Sequence, residues 1–164
     1  MRGLQDFKTT LPGLYQDAKT GSSEKIKKFW NDFIIFQFKE LGSDASLTWF
    51  QRTDNDPPQV CLRYQIACRG IIVAYGAVSA GAGLQELKEQ EAARLRSEVL
   101  VHNRRVGYVI TTIKDDGLKG EFDEVTMNGV LRPLLPTGSQ VNLEIPSDEE
   151  VFRGLLHHCL QFAR

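Results

Sequence analysis

The sequence predicts an α+β fold: one domain with a mostly antiparallel sheet of about five to six strands, packed by three helices in the order α-βββ-α-βββ-α. Three observations predict it. Helical periodicity recurs in three separated segments. The strand-like runs between them come in groups rather than singly. Clusters of Asp, Asn, Gly and Pro, such as TDNDPPQ and KDDG, break those groups into strands joined by turns. A doubly wound nucleotide fold needs strands and helices to alternate one by one. The pattern gives no sign of a parallel strand pair.

Residues 1–23 read as an N-terminal arm, and 24–164 as the domain. The first helix is expected at about 24–41. Ser22 or Ser23 caps it, because a hydroxyl accepts from a free N–H of the first turn. Gly42 closes it. Ile26, Phe29, Trp30, Phe33 and Leu41 share one helical face. Ile34, Phe36 and Phe38 widen the apolar arc to roughly 200°, while Ile35 points the other way. Covering one sheet face takes about half of that arc. The helix is therefore either sandwiched or offers a second apolar face to a partner. Taken alone, FIIFQF (33–38) has the composition of a strand; the flanks EKIKK and KEL favour helix.

The first strand group follows. SLTWFQR alternates, with Leu47, Trp49 and Gln51 on one face and Thr48, Phe50 and Arg52 on the other. QVCLRYQIAC and GIIVAYGAV are the second and third strands, and Gly70 between them suits an antiparallel hairpin. The second helix is expected at 84–101, with Leu84, Leu87, Ala92, Leu95 and Val99 as a narrow stripe on a one-sided surface helix. Arg94 and Glu98 sit at i, i+4. RRVGYVITTIKDDG, EFDEVTMNGVLRPLL and SQVNLEIP form the second group, the middle one disturbed by Asn128-Gly129 and Pro133. The last helix is expected at 148–162, capped by Ser147 or Asp148.

Composition removes several functions. With 164 residues, 41% hydrophobic and 25% charged, the chain fits one soluble globular domain. A net charge of −1 supplies no drive for non-specific nucleic-acid binding. No apolar run approaches the roughly 20 residues that span a bilayer, and the first residues lack a signal-peptide core. The expectation is a cytoplasmic protein with no membrane contact. Three cysteines without CxxC spacing suggest neither a disulfide framework nor a zinc site. Cys61 and Cys68 read as buried, inert thiols.

One stretch invites a nucleotide. YGAVSAGAGLQELKEQE follows an apolar strand and leads into a helix. Gly76 and Gly81 have P-loop separation, but Ala82 and Gly83 stand where Lys and Ser or Thr are required. Gly81 and Gly83 give GxG, but Glu86 occupies the third glycine position. Glu86 and Glu89 put negative charge at the helix start, which repels phosphate. The glycines read better as a sharp strand-to-helix turn, and Gly76, Gly81 and Gly83 remain the candidate ligand loop. His157 and His158 are adjacent on a helix, so they point about 100° apart and do not share a metal. No motif surrounds a Cys61–His102 pair. The acids of DNDPP, KDDG and EFDE (Glu121, Asp123, Glu124) fall in or near turns and read as solvated, or as an acidic edge for a basic partner. Arg104 and Arg105, with Arg94 and Arg96 nearby, are the candidate anion contact. No metal or cofactor is expected.

In element order, helix–three strands–helix–strands–helix resembles the type III secretion chaperones, small acidic dimers that hold effector segments. The last half, a strand followed by PSDEE and a helix ending in LQFAR, resembles PsbP-like α+β domains, some of them secretion adaptors. Both likenesses are topological, and fold does not fix function. The expected function is non-enzymatic protein binding, as an adaptor, secretion chaperone or immunity-type inhibitor. The partner is another protein or a second copy in a homodimer, met through Trp30, Phe33, Ile35, Phe36 or Phe38. The alternative is a small-ligand protein or enzyme with its site near 76–83.

Overall fold

The structure, a computed structural model, describes residues 23–50, 60–79, 84–102, 105–114, 117–126, 128, 130–135, 141–142 and 146–161. FIIFQF is helical. It lies inside α1 (Ser23–Glu40), 18 residues long, because the surrounding apolar positions repeat at helical spacing. Gly42 ends the helix as expected. Its φ of 75° is a left-handed value that suits glycine. The Gly42 N–H donates to the Lys39 carbonyl at 3.0 Å and the Ser43 N–H to the Phe38 carbonyl at 2.9 Å. These are the two bonds of a Schellman cap.

Six strands follow one another in space as in sequence: β1 (Ala45–Phe50), β2 (Val60–Cys68), β3 (Ile71–Ser79), β4 (Val106–Lys114), β5 (Gly117–Val125) and β6 (Leu131–Pro133). A two-residue β7 (Val141–Asn142) also pairs with β5. β2 and β3 form the expected hairpin. Arg69 and Gly70, at φ 55° and 77°, make its two-residue turn, where both central residues need positive φ. The segment expected as one strand at 121–135 splits at Asn128 into β5 and β6. The fold class is therefore the α+β one read from the sequence.

One pairing departs from expectation. β3 and β4 are parallel, Ala74 facing Gly107 and Ser79 facing Thr112. Helix α2 (Leu84–His102) is the crossover between them, as parallel neighbours require a long connection. The spacing of apolar residues carried no mark of this, because strand direction leaves none in periodicity.

The sheet is covered on both faces. α1 and α3 (Pro146–Gln161) pack on one face over Tyr64, Ile66, Val109 and Phe122. α2 packs on the other over Tyr75, Val106, Tyr108, Ile110 and Val125. α3 starts two residues before the expected 148. Pro146 takes the first helical turn, where its missing N–H costs nothing, so Ser147 and Asp148 lie inside the turn rather than at its cap.

Gly76 shows how tightly the first face is filled. It sits opposite Tyr64 in the β2–β3 ladder, and a Cβ at Gly76 would clash with the Tyr64 ring. The ring therefore lies flat over β3. Gly76→Ala should destabilise the fold by about 1–3 kcal/mol, the usual cost of overpacking. Urea unfolding of the two proteins measures it, and equal midpoints would show that the ring moves aside freely.

Candidate protein-interaction edge

β1 is an outer strand of the sheet, and among the described residues no strand pairs with its far side. An edge strand presents a row of unpaired N–H and C=O groups, so proteins usually guard it with charge, proline, a bulge or brevity. The opposite edge is guarded in that way. β6 has three residues, LRP, including a cation and a proline, and β7 has two. β1 has none of these devices. ASLTWF is six residues without charge, Pro or Gly, and its register with β2 runs from Ala45–Cys68 to Phe50–Arg63 without a shift.

The two faces of β1 differ. Leu47 and Trp49 point to the core beneath α1 and are only half-buried. Trp49 packs on Tyr64 with ring centroids 4.7 Å apart, and its Nε1 donates to Asn31 Oδ1 at 3.2 Å. That bond aligns α1 with the edge. Ser46, Thr48 and Phe50 face away and are exposed, Phe50 by 41%. Alternation had placed Thr48 and Phe50 together on that side. That β1 is outermost among the described strands was not in the spacing.

The contact residues expected on α1 are mostly core. Trp30, Phe33 and Phe38 are fully buried. This corrects their assignment to a partner: α1 packs on the sheet with α3 beside it on the same face, which uses the wide apolar arc internally. Phe33 meets Phe152 of α3 with centroids 5.9 Å apart, and Phe29 stacks on Phe33 at 5.8 Å. Ile35 and Phe36 are half-buried. Of the candidate ligand loop, Gly76 is filled over by Tyr64, and Gly81 and Gly83 lie outside the described residues. Arg104 also lies outside them. Arg105 is exposed and pairs with Glu124 at 3.5 Å, and Arg132 reaches the same carboxylate at 3.3 Å.

The acids of EFDE are not solvated turn residues. Glu121, Asp123 and Glu124 lie in β5, an interior strand, with Asp123 and Glu124 each 2% exposed. They are held by cations: Lys88 of α2 lies 3.0 Å from Asp123 and 3.6 Å from Glu121. α2 likewise departs from a simple apolar stripe. Leu95 and Val99 are buried, but so is Glu91. Both oxygens of Glu91 are engaged: Arg63 of β2 donates to Oε1 and Arg94 to Oε2 at 2.7 Å. Arg94 thus turns back to Glu91, while Glu98 accepts from the Tyr75 hydroxyl at 3.1 Å. These are closed pairs that fasten the helix to three strands, since a buried charge is tolerated only when paired.

No protein-family model, curated protein or solved structure matches the chain. The two likenesses in element order therefore rest on that order alone.

Burial raises the pKa of several groups. Burial drives the Tyr64 phenol well above its ordinary 10, slightly offset by Thr111. Tyr108 is raised by burial and then by Glu91, with Arg94 and Arg63 pulling the other way. The Cys159 thiol is pushed up to about 12 by burial, with Glu124 and Cys68 adding to it. Burial also raises Cys68, against Arg69, and Asp123, against Lys88. For the phenols and thiols the folded value exceeds the unfolded one. Their stabilisation is thus complete below the unfolded thiol value of 9.0 and is lost as pH rises toward about 12. The thermal midpoint should hold to about pH 9 and fall steadily above it. A midpoint that stays level across that alkaline range would show that these groups ionise without unfolding.

Proposed function

We propose that the chain is a non-enzymatic protein-binding module of the adaptor, chaperone or inhibitor kind, and that it takes its partner along the outer edge of β1. One observation carries the reading: β1 is regular and neutral and, among the described residues, uncovered at its outer edge, while the other edge is short and carries Arg132 and Pro133. Strand addition to such an edge gains affinity from main-chain hydrogen bonds and specificity from alternate side chains. Here Phe50, Thr48 and Ser46 line one side of the added strand, and Leu47 and Trp49 the other. No helix among the described residues is long and apolar enough to cross a membrane.

The test compares the tagged chain with its Thr48→Lys variant. Thr48 is exposed, so the variant should fold normally while putting a charge in the middle of the edge. A partner held by the wild type should be released by the variant, and the loss should recur with the two purified proteins. The same partner bound equally by both would overturn the edge as the contact.

A second reading has its own observation. In open sheets with parallel strands ligands sit at the carboxyl ends of the strands, and β3, which pairs parallel with β4, ends at Ser79, just before residues 80–83 in the chain. That pair removes one objection to a ligand near 76–83, although the exposed Glu89 remains in the first turns of α2. A thermal-shift panel of nucleotides, metals and small anions decides it, because a ligand that binds the native state raises the midpoint. This reading expects at least one concentration-dependent rise, and no rise at saturating ligand overturns it for those classes.

A further inference from the structure

We propose that the strand completing the β1 edge is β1 of a second copy of this chain, paired antiparallel about a two-fold axis at Thr48. The inference rests on the edge-binding reading above and names its partner. A two-fold contact must be self-complementary: if residue i meets j, then j meets i. β1 meets that demand. With the axis at Thr48, Ser46 faces Phe50 of the second copy, Leu47 faces Trp49, and Thr48 faces Thr48. The six residues carry no charge, so no like charges are set opposite each other, which would be destabilising in a strand pair. Leu47 and Trp49 lie on the core face yet stay half-buried. Their counterparts in the second copy extend the same apolar layer and cover them.

The helix above fits the same axis. α1 lies over both β1 and β2. Adjacent strands are about 4.8 Å apart. A helix centred over the β1–β2 gap therefore stands about 10 Å from its symmetry mate, within reach of the 8–10 Å at which helices pack. The two helices run antiparallel. Asn31, bonded to Trp49, marks the flank of α1 that faces the edge. Glu24, Lys28, Ile35 and Lys39 extend that flank at spacings of three and four residues. Reversed on itself about Asn31, the stripe sets exposed Glu24 against Lys39 of the second copy, and Lys28, already paired with Asp32 of its own helix, against Ile35. The Glu24–Lys39 pair is thus made twice about the axis, which steers and registers association. A strand pair alone is small for a stable dimer, and the helical stripe supplies the added surface.

The experiment is a charge swap at the axis, using the full chain. Light scattering coupled to gel filtration should give the wild type twice the chain mass. Thr48→Lys and Thr48→Asp should each run as folded monomers, because two like charges then meet at the axis. Mixed in equal amounts, they should restore a one-to-one dimer. Lys39→Glu, which sets acid against Glu24, should weaken the wild-type dimer with its circular dichroism unchanged, and adding Glu24→Lys should restore it. Amide hydrogen exchange gives a readout without substitutions: the outward amides of residues 45–50 should be protected in a concentration-dependent way. A wild type that stays monomeric with freely exchanging β1 amides overturns the inference. So does a dimer unaffected by both Thr48 substitutions. A wild-type monomer that nevertheless loses a different protein on Thr48→Lys overturns self-association alone, leaving the edge-binding function standing.

Discussion

The packing of α1 against two neighbours at once is the constraint on which the rest of the molecule depends. An apolar arc that wide cannot be satisfied by a sheet face alone. A second helix has to close over it, and α3 does so. The contact is a run of aromatic rings: Phe33 on Phe152, and Phe152 edge-on to Phe122 in β5, with centroids 5.0 Å apart. The last helix is thereby fixed to the first and to the middle of the sheet. Part of the seam between α1 and α3 is polar. Gln37 is fully buried and donates to Glu149 at 3.0 Å, and Arg153 donates to Gln37 at 2.7 Å. A buried amide with both ends engaged sets helix register in a way that interchangeable apolar contacts do not.

The opposite face is built by a different rule. α2 is the crossover of a parallel pair, so its position is dictated by where β3 ends and β4 begins. Its inward side carries Leu95 and Val99, but also Glu91 and Lys88, which meet Arg63, Asp123 and Glu121. Tyr108 lies beneath with its hydroxyl buried and without a hydrogen-bond partner among the described residues. Ion pairs of this kind contribute little net stability compared with apolar packing, yet losing one member leaves the other charge stranded. They hold α2 in one place on the sheet. The two faces thus divide the work: aromatic packing on one supplies cohesion, and paired charge on the other supplies position.

What was legible in the sequence follows from which forces leave a period. The three helices, the grouping of the strands, the glycine turn at Gly70 and the cap at Gly42 are local, and they were readable. The fold class followed from their order. The direction of β4 relative to β3 is not local, and neither is the interior place of β5. That is why Glu121, Asp123 and Glu124 looked like solvated acids when read beside KDDG. Their cations come from α2, from the start of β4 and from β6, and no spacing within EFDE announces them. The same holds for Trp30, Phe33 and Phe38. The width of the arc was visible, but whether α3 or another molecule covered it depends on a contact more than a hundred residues away. The β1 edge was missed for a related reason: ASLTWF looks like any half-buried strand until its outermost position is known.

That position carries a consequence for how such an edge persists. Charge or proline could be placed in β1 at little cost to the monomer, since Ser46, Thr48 and Phe50 already face outward. The far side of the sheet shows that this chain does use such devices, with Arg132 and Pro133 in a strand of only three residues. A regular neutral strand with an exposed Phe50 is a standing risk of unwanted pairing. Covering it with a defined partner removes that risk while leaving the sequence of β1 free to match the partner. Because Trp49 is bonded to Asn31 and stacked on Tyr64, the edge is also held rigid from the core side. Little ordering then remains to be done on association, and preorganisation of that kind turns a short strand into a usable binding element.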